Sequence, residues 1–155
     1  MSWTYAKASS HKKIQLTDFL NQPLKLNQKN VSCGFQDTSL IWLTFNDCVT
    51  GRGYLLKLPY SQTKSIQKIT SALNSFDPKF SVDPELRAYT DRGNIYVANV
   101  NTGKEAEMTF HKEYDMDFND IHKAIDTISI TKKRIYVKLI DSDGKEVPLE
   151  KAIDL

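Results

Sequence analysis

The sequence predicts an α+β fold: a curved antiparallel sheet of several hairpins, with two amphipathic helices packed on one face. Three observations carry this prediction. Short strand-like runs alternate with turn residues at 47–53, 91–93, 101–104 and 142–144. Two stretches place apolar residues at helical spacing: Ile66, Ile69, Leu73 and Phe76, then Phe118, Ile121, Ile125 and Ile128. The triplet isoleucine–tyrosine–valine occurs at 95–97 and again at 135–137, with a looser version at Ile41-Trp42-Leu43.

Taken in order, residues 1–13 are polar, small and basic, and are expected to form a flexible arm ahead of one domain over 14–155. IQLTDFLNQPL suits a short helical turn through Leu16, Phe19 and Leu20, stopped before Pro23. VSCGF and SLIWLTF read as strands separated by Gln36-Asp37-Thr38, and YLLKL returns after DCVTGRG to close a second hairpin. SQTKSIQKITSALNSF then reads as a helix of about four turns, ended by Asp77-Pro78. FDPKFSVDPE reads as a loop.

The second half repeats the order. LRAYT and NIYVANV flank Asp91-Arg92-Gly93, and EAEMTF returns after Asn101-Thr102-Gly103-Lys104. DFNDIHKAIDTI reads as a helix, with Asp117 placed to cap its first N–H groups. RIYVKLID turns at Ser142-Asp143-Gly144 into VPLEKAIDL, a strand or a short terminal helix. Strand, strand, strand, helix therefore occurs twice. Aligning Ile41 with Ile95 brings Thr50-Gly51 near Thr102-Gly103, the pattern of an internal duplication.

The totals narrow the class. At 155 residues, 40% hydrophobic and 26% charged, the chain has the composition of a folded domain rather than a disordered one. It has no apolar run of bilayer length, and MSWTYAKASSHKK has no apolar stretch behind its charges, so neither a membrane span nor a secretory signal is expected. Cys33 and Cys48 are too few for a disulfide framework and read as buried free thiols of a reducing, cytoplasmic compartment. Net charge is +2, but residues 1–30 carry +4, while 105–120 is strongly acidic. A basic arm on a neutral-to-acidic body points to nucleic acid or to an acidic protein surface.

Side chains alternate along strands, so the aliphatic members of each triplet share a face suited to the helix stripes. Trp42, Tyr96 and Tyr136, with Arg134 and Lys138, then fall on the opposite face. Single-stranded DNA or RNA binds such a surface by stacking bases on rings, at about 1–3 kcal/mol each, while cations track phosphates. In this reading the three aromatics stack, Arg52, Arg134 and Lys138 meet phosphates, and Lys12 and Lys13 assist from the arm. The same residue types also mark protein interfaces, so the alternative is an interaction module: an adaptor, or an inhibitor of the kind carried by pathogens and mobile elements. A homodimer that buries the aromatic face is a third arrangement, and cross-strand packing alone explains aromatics on strands.

The unit IWLTFNDCVTGRGYLLKL with its expected helix resembles one repeat of the PUR family, whose strand-rich units end in a helix and bind single-stranded nucleic acid. The likeness covers under a quarter of the chain, and EAEMTF departs from it in the second half.

Other chemistries lack their patterns. His111, Glu113, Asp115, Asp117, Asp120 and His122 match no metal-ligand or calcium-loop spacing and suit a solvated loop and a helix cap. Asp141, Asp143 and Gly144 suit a turn. Gly51 and Gly53 lack the third glycine and following helix of a dinucleotide site. The histidines have no Ser or Cys companion for a catalytic set. The sequence thus predicts a binding protein without catalytic activity, metal or cofactor.

Overall fold

The computed structural model describes residues 2–4, 11–13, 25–36, 40–60, 64–110 and 121–155. The chain gathers into two compact units, 1–70 and 71–155. Both are built of strands, which corrects the α+β expectation: the helical content of the described residues is one turn, α1 (Ile121–Ala124).

In the first unit, β1 (Ser2–Thr4) and β2 (His11–Lys13) pair antiparallel within the stretch expected to be a flexible arm. The expected turn at 14–24 lies outside the described residues. Strands β3 (Leu26–Gln36), β4 (Leu40–Asp47) and β5 (Gly53–Pro59) form an antiparallel meander, with a register shift in β3 between Leu26 and Val31. Leu43 and Phe45 of β4 meet Tyr54, Leu56 and Leu58 of β5 in one core, edged by Val31, Ile41 and Ile66. Phe45 and Tyr54, directly opposite across the strands, stack at 5.3 Å.

Strand β6 (Gln67–Leu73) carries the boundary between the units and occupies the first expected helix. Its last residues belong to the second unit and pair within it with β8 (Leu86–Asp91), Ala72 opposite Tyr89 and Leu73 opposite Ala88. Ile69, Ser71 and Leu73 also satisfy a period of two. A partner strand supplied the hydrogen bonds that decided between the two periods.

The second unit continues with β7 (Phe80–Val82), inside the expected loop, and the antiparallel set β8, β9 (Asn94–Asn99) and β10 (Glu105–Met108). Beyond α1 come β11 (Ile125–Thr131), β12 (Arg134–Ile140) and β13 (Glu146–Ala152), antiparallel in sequence, with β7 parallel to β11. Most of the second expected helix is therefore strand, or lies outside the described residues. Ile125 and Ile128 are both buried although three apart, because the register shifts between Ile125 and Thr127. A bulge in a strand thus imitates helical spacing.

Leu86, Ala88, Ile95, Val97 and Met108 of one sheet share a single core with Phe80, Ile128, Ile130, Ile135, Val137 and Leu139 of the other. The aliphatic faces are covered by each other rather than by helices. Full burial of each large aliphatic side chain contributes about 1.5–3 kcal/mol.

The two units repeat one turn. Asp47 N–H donates to Arg52 O and Gly51 N–H to Asp47 O; Asn99 N–H donates to Lys104 O and Gly103 N–H to Asn99 O. Gly51 and Gly103 sit at φ 73° and 71°, a conformation that favours glycine. Anchoring the comparison on this turn aligns Leu43 and Phe45 with Ile95 and Val97. The alignment of Ile41 with Ile95 is therefore off by two residues, and Trp42 corresponds to Asn94, not to Tyr96.

Candidate binding faces

On β12 the alternation is as expected: Ile135, Val137 and Leu139 have no exposed surface, while Arg134, Tyr136 and Lys138 face outward. Their neighbours were not legible beforehand. Tyr136 lies opposite Glu150 on β13 and Ser129 on β11. The Arg134 guanidinium sits 5.9 Å from the Tyr136 ring centre and 3.6 Å from Glu150. Lys138 Nζ lies 2.8 Å from Asp126 and 3.0 Å from Glu146. Hydrogen bonds to those two carboxylates raise the Lys138 pKa, and the bond from Lys138, then that from Thr127, lowers that of Asp126. Both cations on this face are already matched by carboxylates.

Tyr96 also faces outward, half-buried, on the other sheet of the same unit. Since Ile95 and Ile135 share one core, Tyr96 and Tyr136 lie on opposite outer faces and do not form one surface. The companion of Tyr96 is Tyr89 on β8, stacked at 5.3 Å with planes 19° apart. Asn94 Nδ2 donates to Tyr96 Oη at 3.3 Å. Sequence reading missed Tyr89, although the signal was present. Arg92 and Gly93 have positive φ in a two-residue turn, so Asp91 pairs with Asn94 and, two steps back, Tyr89 with Tyr96.

Beside the rings, Glu107 lies opposite Tyr96, and Glu105 opposite Ala98. Burial, then Glu105, Tyr96 and Asp91, pushes the Tyr89 pKa up, since each disfavours a phenolate there. Arg87, two residues before Tyr89, donates from Nη1 to the carbonyls of Pro84 and Leu86 at 2.8 and 2.7 Å. Its Nε is buried without a hydrogen-bond partner, and burial lowers its pKa.

Trp42 belongs to the first unit and is 1% exposed, with Lys57 Nζ 4.4 Å from its ring centre. Thr44 and Leu55, on the same side of the meander, are 5% and 0% exposed, so both faces of β4 and β5 are buried. The expected exposure of Trp42 is corrected. Arg52 is half-buried, and its Nε donates to Thr70 O. Lys12 and Lys13 lie on β2, and their side chains fall outside the described residues, as do 111–120 and the side chain of His122. Cys33 and Cys48 are exposed free thiols, not the buried ones expected.

Among the described residues, no three His, Cys, Asp or Glu side chains gather as a metal site, and no helix is long and apolar enough to cross a membrane. Compared with protein-family models, with curated proteins and with solved structures, the chain matches none of them. The likeness to a PUR repeat also loses its helix, since β6 stands in that place.

Proposed function

We propose that this chain is a protein-interaction module without catalytic activity, working through the outer face of β8, β9 and β10. The observation that carries this reading is the half-open Tyr89–Tyr96 stack beside Glu105 and Glu107. Amphipathic rings at a partly desolvated position are what protein interfaces use as anchors. Single-stranded nucleic acid fits less well. Phosphates approaching Tyr96 meet carboxylates, and the cations nearest Tyr136 are engaged by Glu150, Asp126 and Glu146. A reducing compartment is part of the proposal, because Cys33 and Cys48 would stay reduced there.

Fluorescence anisotropy with labelled single-stranded DNA and RNA at low ionic strength tests this reading, with no binding expected. Binding that falls steeply with salt and is lost in Tyr96→Ala would reinstate the nucleic-acid reading. A stoichiometric protein partner lost on Tyr89→Ala with Tyr96→Ala supports the proposal.

A further inference from the structure

The second unit treats its carboxylates in two ways. On the outer face of the β11–β13 sheet and at its C-terminal end they are paired: Asp126 and Glu146 with Lys138, Glu150 with Arg134, and Asp154 with Lys133 and Lys104, while Asp141 in the β12–β13 turn accepts from backbone N–H groups. Glu85 is likewise paired, with Lys132 at 2.6 Å. On the β8–β10 face, Asp91, Glu105 and Glu107 are exposed and have no ion pair among the described residues. Arg87, a cation on the same face, is turned onto backbone carbonyls and is not spent on any of them.

Unpaired negative charge surrounds two rings whose π-faces also attract cations. Strand β10 lies at the edge of its sheet, and among the described residues it is paired with β9 alone, an arrangement that suits the addition of a further strand.

We infer that this face takes an extended basic segment of the protein partner, laid along β10 with lysine or arginine side chains over Tyr89 and Tyr96 and against Glu105 and Glu107. The inference rests on the protein-interaction reading and adds the chemistry of the partner. Burial is the largest cause of the raised Tyr89 pKa; the smaller part that comes from Glu105 and Asp91 is a negative potential that also favours a bound cation. An edge strand bearing glutamates has a competing explanation, protection against edge-to-edge aggregation, and the experiment separates the two.

The full chain is titrated into a labelled peptide alternating arginine and serine, and into a matched peptide alternating glutamate and serine, with anisotropy as the readout. The basic peptide is expected to bind and the acidic one not to. Glu105→Gln with Glu107→Gln, a change that leaves the fold intact by circular dichroism, is expected to weaken binding at least tenfold, and Tyr96→Ala by a similar factor. Glu150→Lys, on the opposite outer face, is expected to leave binding within twofold.

Equal weakening by Glu150→Lys would mean unspecific attraction and overturn the inference. So would equal binding of both peptides, or aggregation of the glutamine variant with no peptide binding by the parent chain. A partner that needs Tyr89 and Tyr96 yet has no basic segment would overturn the inference alone. If binding to every protein partner were indifferent to both tyrosines, the interaction reading itself would fall.

Discussion

The meander β3–β4–β5 and the meander β8–β9–β10 share a turn but differ in the face they leave open. Anchored on that turn, Thr44 and Leu55 of the first unit correspond to Tyr96 and Glu107 of the second. The first pair is 5% and 0% exposed, whereas Tyr96 is half-buried and Glu107 exposed. One backbone plan thus serves as two-sided core in one place and as a one-sided sheet with a usable outer face in the other. The turn differs as well. Asp47 accepts from Lys25 N–H at 2.9 Å, Thr50 N–H at 3.0 Å and Thr50 Oγ1 at 2.8 Å. Among the described residues, Asn99 Oδ1 accepts within its own turn, from Asn101 and Thr102 N–H at 2.9 and 3.2 Å. Only the first turn is tied by its carboxylate to the start of β3.

The sharpest way to break this comparison is to truncate its corresponding faces. Trp42→Ala is expected to cost about 3–5 kcal/mol in denaturant unfolding, as for a buried aromatic, against about 1 kcal/mol for Tyr96→Ala. Equal costs would show that the two faces are buried alike. Next, Asp47→Ala is expected to lose about 3 kcal/mol and Asn99→Ala about 1–2 kcal/mol, because charged acceptors contribute more per hydrogen bond.

The same pair differs with pH. Burial alone would raise the Asp47 pKa, but the N–H groups of Lys25, Thr50 and Val49 and the Thr50 hydroxyl outweigh it and hold the value below the ordinary 3.8. A depressed pKa means stabilisation present above the unfolded value and lost as pH falls through the folded one. Amide exchange at Thr50 is therefore expected to accelerate below that pH relative to Thr102, whose turn has no titrating acceptor. Parallel acceleration at both sites would remove Asp47 as the cause.

The smallest expected effect is at the tip. Val49 is 74% exposed where the second turn has Asn101. Val49→Asn should shift stability by no more than about 0.5 kcal/mol, measured by thermal unfolding.

Much of this was legible in the residues. Alternating aliphatics at Ile135, Val137 and Leu139, and at Ile95 and Val97, named the buried faces correctly, because strand periodicity is a local property. Thr-Gly at 50–51 and 102–103 marked the shared turn, since positive φ calls for glycine. The helices were misread at Ile66, Ile69 and Leu73 and at Ile125 and Ile128. Spacings of three and four fit a helix or an irregular strand equally, and only a hydrogen-bonding partner chooses.

The sequence by itself determined which positions alternate, where the chain reverses and which aromatics it could offer. Tertiary structure decided which offers were accepted. It buried Trp42, set Tyr89 against Tyr96, gave Lys138 and Arg134 their carboxylates and left Glu105 and Glu107 without ion partners among the described residues. The physical reason is range. Turn and strand preferences act between neighbours in the chain, whereas burial and charge pairing depend on residues brought close only by the fold.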